Sequence, residues 1–437
     1  MNRRNFVKRA TGGLALAPSI LPCHLWASNG AISPNSKVNM GFIGVGGMGR
    51  GHVRTFLGFE DIVVRAVCDV RRAHRNEAKR MVDEAYNNRE CATYNDFREL
   101  LARSDIDAVV IATPDHWHVL IGQEAARQGK AMYYEKPMGL TVAEAQAMRA
   151  TVNRYGSIFQ FGTQQRSDPR FRFAIELARN GYIGELERVV VGSASYTEVP
   201  TQKEETVPEG LDYEMWLGPA PWAPYTELRC TRNWTLIRDY SLGCLSGAWG
   251  IHHIDIAQWA FDADQSGPVS VEARGSIPET GLYDTFQFFE SEHLYANGAK
   301  LLHIDHTQAK RRFHQFDNPG SSMGILFEGA EGWVYVARGY INASSQSLLR
   351  TVISPNEIKL PISSNHRRNF IDAVKNGTDP ICPVGPGVKS EIVCQQADIA
   401  IRIGQRLEWD NENEVFVGNP NANRMLSQPT RAPWTLT

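Results

Sequence analysis

The sequence predicts an α/β fold in two parts: an N-terminal parallel sheet covered by helices, then an α/β region built on an open, mostly antiparallel sheet. Three observations predict it. From Lys37 to about Phe161, apolar strand-like runs alternate with helical patterns, as successive βαβ units require. The first of those runs ends in Gly44, Gly46 and Gly49, spaced G-x-G-x-x-G, and a helical pattern follows. From Val269 to about Val336 the pattern changes to short period-two runs, such as Thr285–Phe289 and Gly332–Val336.

The elements follow in order. Ile62–Cys68 reads as the second strand, and the Arg- and Glu-rich segment Arg71–Tyr86 as a solvated helix. A short helix ends near Ser104. Ala108–Ala112 is a buried strand stopped by Thr113-Pro114-Asp115-His116-Trp117-His118, and a helix then runs to Gly129. Ala131–Tyr134 is a strand leading into Glu135-Lys136-Pro137. Thr141 caps a helix to Tyr155, with Glu144 completing a capping box. Ile158–Phe161 closes this first domain, residues 36–160. In the remainder, 161–437, Ser167–Asn180 is helical with Gly181 as its stop, and Glu187–Tyr196 is a strand. Glu198–Arg238, rich in Pro, Trp and Gly, forms a loop layer. Ile251–Phe261, Asn365–Asn376 and Val388–Leu407 are further helices.

The glycine spacing carries chemistry. Gly44 permits a tight turn, Gly46 lets backbone approach a pyrophosphate, and Gly49 lets helix and strand pack closely. With Gly47 and Met48 they open a helix whose N-terminal amides and dipole favour an anion. Asp69, at the end of the second strand, stands near the offset at which a carboxylate reaches an adenosine ribose. The reading is a Rossmann dinucleotide site. Arg71 and Arg72 could admit a 2′-phosphate, but the acidic residue repels one, so NAD is expected rather than NADP.

Composition bounds the rest. The 437 residues suffice for two domains with their own cores, with 42% hydrophobic and 22% charged residues. A formal net charge of −2 gives no electrostatic case for a nucleic-acid partner. Beyond the N-terminus no apolar run is long enough for stable membrane insertion. The seven cysteines lack C-x-x-C spacing, so neither a zinc site nor a redox pair is read. His116 and His118 have H-x-H spacing, but no third ligand is indicated and no metal is assigned.

Residues 1–28 read as an address. Arg3-Arg4-Asn5-Phe6-Val7-Lys8 and the apolar run Ala10–Leu21 form a twin-arginine signal, making the export machinery a partner and the location periplasmic or otherwise exported. Such export carries folded proteins. Outside the cytoplasm there is no evident pool of free nicotinamide nucleotide, so the cofactor would stay bound and return to its starting redox state in each turnover.

With Glu135-Lys136-Pro137 behind the glycine loop and Thr113-Pro114, the chain resembles the Gfo/Idh/MocA family of sugar-modifying oxidoreductases. Gly162-Thr163-Gln164-Gln165-Arg166, His252–Trp259 and Phe327–Trp333 extend the likeness over nearly the whole chain beyond the signal. The resemblance implies a Rossmann domain followed by an α/β domain whose open sheet forms the substrate face and often an oligomer contact, here a dimer or tetramer. It implies that Lys136 hydrogen-bonds the reacting hydroxyl. Thr113, Pro114, His116, His118, Glu135, Lys136 and Gln164 would meet the nucleotide. Arg166, Trp249, His252 and Asp255 would join Lys136 around the substrate.

His252 and Asp255 are three apart and share a helix face. A histidine titrating near neutrality suits the proton transfer, and the family's H-x-x-D pattern gives that role to His252, with Asp255 touching the substrate or orienting the ring. His253, about 100° around the helix, is the alternative. Many relatives carry an aspartate where this chain has Ala248, so a relay through that carboxylate is absent here. Five of the ten tryptophans, 216, 222, 234, 249 and 259, fall in one region, where they would stack on sugar or fill the core. The expected activity is oxidation or reduction of a secondary hydroxyl of a sugar or glycoside. The alternatives are an NAD-dependent glycosidase working by transient oxidation and elimination, as in glycoside hydrolase family 109, and a non-catalytic sugar-binding relative. The His-His-x-Asp helix looks more like the oxidoreductase branch.

Overall fold

The computed structural model describes residues 37–319 and 323–436, so the twin-arginine segment lies outside the described residues. Two sheets organise the chain. The first is fully parallel, in the order β3-β2-β1-β4-β5-β6, from β1 (Val38–Ile43), β2 (Ile62–Cys68), β3 (Ala92–Tyr94), β4 (Ala108–Ile111), β5 (Ala131–Tyr134) and β6 (Phe159–Phe161). The order reverses between β1 and β4, whose neighbouring carboxyl ends leave a crevice there. Helices α1 (Gly47–Phe56), α2 (Arg72–Tyr86), α3 (Phe97–Leu101), α4 (His118–Arg127) and α5 (Val142–Tyr155) make the connections. β4 and β5 are buried along their whole length, which their unbroken apolar runs require.

Capping follows the sequence with one shift. The Thr141 hydroxyl accepts the Glu144 amide at 3.2 Å, but Glu144 returns its carboxylate to the Leu140 amide, one residue earlier than a capping box has it. Gly181, at φ +75, follows α6 (Pro169–Arg179) in a conformation that suits glycine.

The second sheet has nine strands in the order β13-β12-β11-β7-β10-β9-β8-β14-β15. They are β7 (Leu186–Ser193), β8 (Ser270–Ser276), β9 (Phe288–Leu294), β10 (Lys300–Asp305), β11 (Gly324–Gly329), β12 (Gly332–Ala337), β13 (Tyr340–Ala343), β14 (Leu407–Asp410) and β15 (Val415–Phe416). Only the β7–β10 pair is parallel. The helices of this part, beside α6, are α7 (Tyr213–Leu217), α8 (Ile251–Ala260), α9 (His306–Arg312), α10 (His366–Asn376), α11 (Val384–Ile403) and α12 (Pro420–Arg424).

Three features depart from the sequence reading. The alternating run from Thr285 becomes strand only at Phe288, since Thr285 is drawn into the loop layer under Gly243 and accepts the Tyr196 hydroxyl through its carbonyl. α11 begins four residues before Val388, because Pro386 falls in its first turn, where no amide donor is required. α10 returns to the first domain: Phe370 and Ile371 are fully buried with Met40, Val64 and Tyr133. A parallel sheet needs both faces covered, and this cover comes from residues far beyond the boundary at 160.

Candidate active site

The carboxyl ends of β1, β2, β4 and β5 open into a cleft of about 1190 Å³, which the loop layer between β7 and α8 closes on the far side. That volume is slightly above the roughly 300–1,000 Å³ of an ordinary small-molecule pocket.

At one end lies the glycine turn. Gly44 sits at φ +79, and a methyl group on it would meet the Ala112 backbone at 2.6 Å; one on Gly49 would lie 1.9 Å from the Gly44 carbonyl. Both glycines therefore serve close packing, and Gly49 does not line the cleft. Gly46 and Gly47 are open instead: a methyl on Gly47 would meet nothing within 4 Å, and one on Gly46 only His74 at 3.9 Å. With exposed Met48 they leave the start of α1 accessible from the cleft. Asp69 braces this turn, its Oδ2 accepting the Val45 amide at 2.9 Å and its Oδ1 the Arg71 amide at 2.8 Å. Accessible amides at a helix N-terminus, with a carboxylate at the neighbouring strand end, fit a dinucleotide.

The second part of the chain crosses over this end. Arg71 bridges Leu211 in antiparallel fashion, the Arg72 amide donates to the Gly210 carbonyl at 2.7 Å, and the Asp212 amide to the Val70 carbonyl at 3.0 Å. Asn95 adds a side-chain bond to Asp212 at 2.8 Å, and Arg72 turns outward to Glu209. Thus Arg72 is directed away from the site.

At the other end stand Lys136, Gln164, Trp249 and His252, with Thr113, Pro114 and Glu135 beneath them. Lys136 Nζ donates to the Gly247 carbonyl at 2.7 Å. Glu135 is held through His52: a guanidinium only donates, so His52 Nδ1 accepts Arg367 Nε at 2.8 Å and its Nε2–H reaches Glu135 Oε1 at 2.8 Å. Burial alone would raise the Glu135 carboxyl, but the His52 bond and the charges of Lys136 and Arg367 bring it down to about 2.

His252 and His253 separate clearly. His252 faces the cleft, is 4% exposed, and its Nδ1 has no hydrogen-bond partner among the described residues. His253 lies off the cleft and accepts the Trp249 indole N–H at 3.1 Å, so its contact sets the Trp249 ring. The expectation of a histidine titrating near neutrality is corrected. Burial first, then the Lys136 charge, hold His252 well below its ordinary value, and the ring is neutral.

Four further side chains expected at the site do not line the cleft. Asp255 is fully buried and takes two bonds from Arg166, at 2.8 Å each, plus the Ser390 hydroxyl at 3.1 Å. Arg166, 2% exposed, bonds Asp264 as well and lies over the Trp259 ring. Neither side chain lines the cleft; their ion pairs anchor α8, which carries His252. The position three residues from His252 identified the helix face but not its depth. His116 and His118 likewise point into backbone, His116 Nε2 to the Trp216 carbonyl at 3.0 Å and His118 to the carbonyls of Thr113 and Pro137 at 2.9 and 2.8 Å. His118 thereby ties the loop after β4 to the Lys136 loop.

Residues that the sequence did not single out also line the cleft. Arg338, beyond the end of β12, stacks 4.5 Å from the Trp249 ring centroid, and Ser195, Tyr196 and Asn233 join Trp234 in the lining. A hairpin arginine remote in sequence carries no motif signal. Asp115 was visible within its motif, but only as a neighbour of two histidines.

Parallel sheet, glycine turn and a lysine–histidine cleft define a dinucleotide-dependent oxidoreductase scaffold. The chain belongs to the Gfo/Idh/MocA oxidoreductase family, matching its NAD-binding Rossmann fold over residues 38–163 and its C-terminal alpha/beta domain over residues 194–436. A glycosyl hydrolase family 109 protein of Shewanella baltica (strain OS155) is 32% identical over 276 residues, 58% of this chain and 56% of the relative, so the match spans little more than half of either. Among solved structures, the aldose-aldose oxidoreductase from Caulobacter crescentus complexed with glycerol aligns with a TM-score of 0.62 at 20% identity, covering 85% of this chain and 99% of that one. The scyllo-inositol dehydrogenase from Lactobacillus casei with bound NAD(H) and scyllo-inositol gives 0.57 at 18% identity, covering 85% and 99%. These likenesses show the shared fold.

Proposed function

We propose that the protein is an exported oxidoreductase that acts on a secondary hydroxyl of a sugar or glycoside and keeps its NAD bound between turnovers. The observation that carries this reading is that Lys136 and His252 face one cleft whose other end is the open glycine turn. Gly46, Gly47 and Asp69 would hold the nucleotide, which when bound supplies a hydride acceptor that can also return the hydride. Lys136 donates a hydrogen bond to the reacting oxygen and stabilises the charge that develops on it. Neutral His252 receives the hydroxyl proton during oxidation and gives it back during reduction. Trp249, fixed by His253, offers a face to the sugar ring.

Retention of the nucleotide is supported by the Glu209–Asp212 strap beside the glycine-turn end of the cleft, and export by the twin-arginine pattern at Arg3 and Arg4. The open sheet is the surface through which we expect a homo-oligomer to form. A second reading, glycosidase action through transient oxidation and elimination, is favoured by the family 109 names of the sequence relatives. Incubation of the purified protein with a panel of glycosides separates the two. Keto-sugar without aglycone release supports the oxidoreductase, whereas free aglycone without net redox change supports the glycosidase. A protein that takes up no nucleotide and converts none of the panel refutes both.

A further inference from the structure

Asp115 is a buried carboxyl for which the chemistry above has no use. It lies in the single 3-10 turn after β4, is 2% exposed, and forms part of the cleft wall. Its surroundings are set by Gly247. A methyl group on that residue would fall 2.1 Å from Asp115 Oδ2 and 2.4 Å from the Ser241 hydroxyl oxygen. The carbonyl of the same Gly247 accepts Lys136 Nζ. A carboxyl, a hydroxyl and an ammonium thus converge on one residue that has no side chain to separate them. A structural carboxyl in a core is normally tied off by donors, yet Asp115 Oδ2 closes no well-aligned hydrogen bond among the described residues.

The groups that face Asp115 are the Lys136 ammonium and Glu135 from the end of β5, Tyr134 on β5, Glu391 on α11 and Ser241 in the loop layer; His116 and His118 flank it in the chain. Burial raises its carboxyl to about 7, while Lys136 and Ser241 pull the other way. Glu391 is raised to about 7 as well, by burial, and bonds the Ser246 hydroxyl and the Met138 amide.

We propose that Asp115 is the positioning residue of Lys136: its carboxylate supplies the counter-charge that keeps the ammonium beside Gly247 and directed into the cleft. The proposal rests on the reading of Lys136 as the group at the reacting oxygen. Ionised Asp115 is the working form, so turnover falls as the pH drops and the carboxyl takes up a proton. Removing Lys136 or Ser241, each of which favours the charged carboxylate, moves that protonation to higher pH.

Two measurements on the full-length protein test this. Infrared difference titration reads carboxyl protonation without any substrate. The expected result is a protonated-carboxyl band that titrates near neutrality, is missing from Asp115→Asn, and moves to higher pH in both Lys136→Met and Ser241→Ala. A band indifferent to loss of Lys136 overturns the pairing, whatever reaction the protein performs. Where a glycoside is turned over, the acid limb of kcat should shift upward in Ser241→Ala and vanish in Asp115→Asn, whose kcat falls about 10²-fold, the size of effect a misplaced reacting group produces. An acid limb that persists in Asp115→Asn also overturns the proposal. If no glycoside reacts, the functional reading fails while the infrared result still decides the pairing; should Asp115→Asn not fold, the other two variants decide it.

Discussion

Replacing Arg166 by methionine separates the two roles this residue could have. Sequence reasoning places it at the substrate; the structure places it inside the protein between Asp255 and Asp264. Its side chain is 2% exposed and that of Asp255 is 0% exposed, and four bonds of 2.7 to 2.9 Å join the guanidinium to the two carboxylates. Methionine fills much of the volume but leaves Asp255, among the described residues, with the Ser390 hydroxyl and the Cys382 thiol. Breaking a buried pair by removing one partner costs about 3–5 kcal/mol. Asp264 is 29% exposed and rehydrates, so Asp255 dominates the loss. With an m of about 3 kcal/mol/M in urea, the unfolding midpoint followed by circular dichroism should fall by about 1 M. Adding Asp255→Asn should recover part of it, since the stranded charge is gone, and this non-additivity is the signature of a direct pair. An unchanged midpoint with a raised KM for the sugar would refute the argument and return Arg166 to the substrate.

Other expectations follow from the same geometry. Gly44→Ala forces a side chain into a positive-φ turn against the Ala112 backbone, and should abolish nucleotide uptake, measured by the nucleotide released on denaturation. Asp212→Ala removes the Asn95 contact from the strap together with the carboxylate that caps the five-residue α7 through the Met215 amide, and should speed the loss of nucleotide on dialysis with little change in the circular dichroism of the remaining fold. Glu135 is held at about 2 against an ordinary 4.5, so its contribution is complete above pH 4.5 and lost as pH falls toward 2. That contribution is about 3 kcal/mol. Glu135→Gln should therefore show a flatter loss of stability across this acid range, read from urea midpoints at successive pH values.

How much was legible in the sequence depends on where the determining contacts lie. The position of the glycine turn, Asp69 and Lys136 along one cleft was readable because a strand end and the residues just after it fix where they stand. That one face of the His252 helix meets the cleft was readable, while the position of His253 off the cleft, under the Trp249 indole, required the structure. The burial of Arg166 and Asp255 was not readable, because a charged residue beside the His252 helix has the same sequence appearance whether it meets solvent, substrate or another buried charge. Sequence cannot see that α10 returns to the first sheet, because an amphipathic helix does not state which sheet its Phe370 face will cover. The strap at Glu209–Asp212 was hidden in a loop layer for the same reason: apart from the Asn95–Asp212 and Arg72–Glu209 contacts, its bonds to the end of β2 are backbone to backbone and carry no residue signature.

The most direct test of the lysine–histidine cleft is the near-ultraviolet absorbance of the nicotinamide after mixing nucleotide-loaded protein with the glycoside panel in a single turnover. A rise is expected with at least one sugar in the natural protein, slowed when the reacting carbon carries deuterium, and none in Lys136→Met although that variant holds the same amount of nucleotide. Equal rises in both proteins, or a loaded natural protein silent toward every sugar tested, would contradict it.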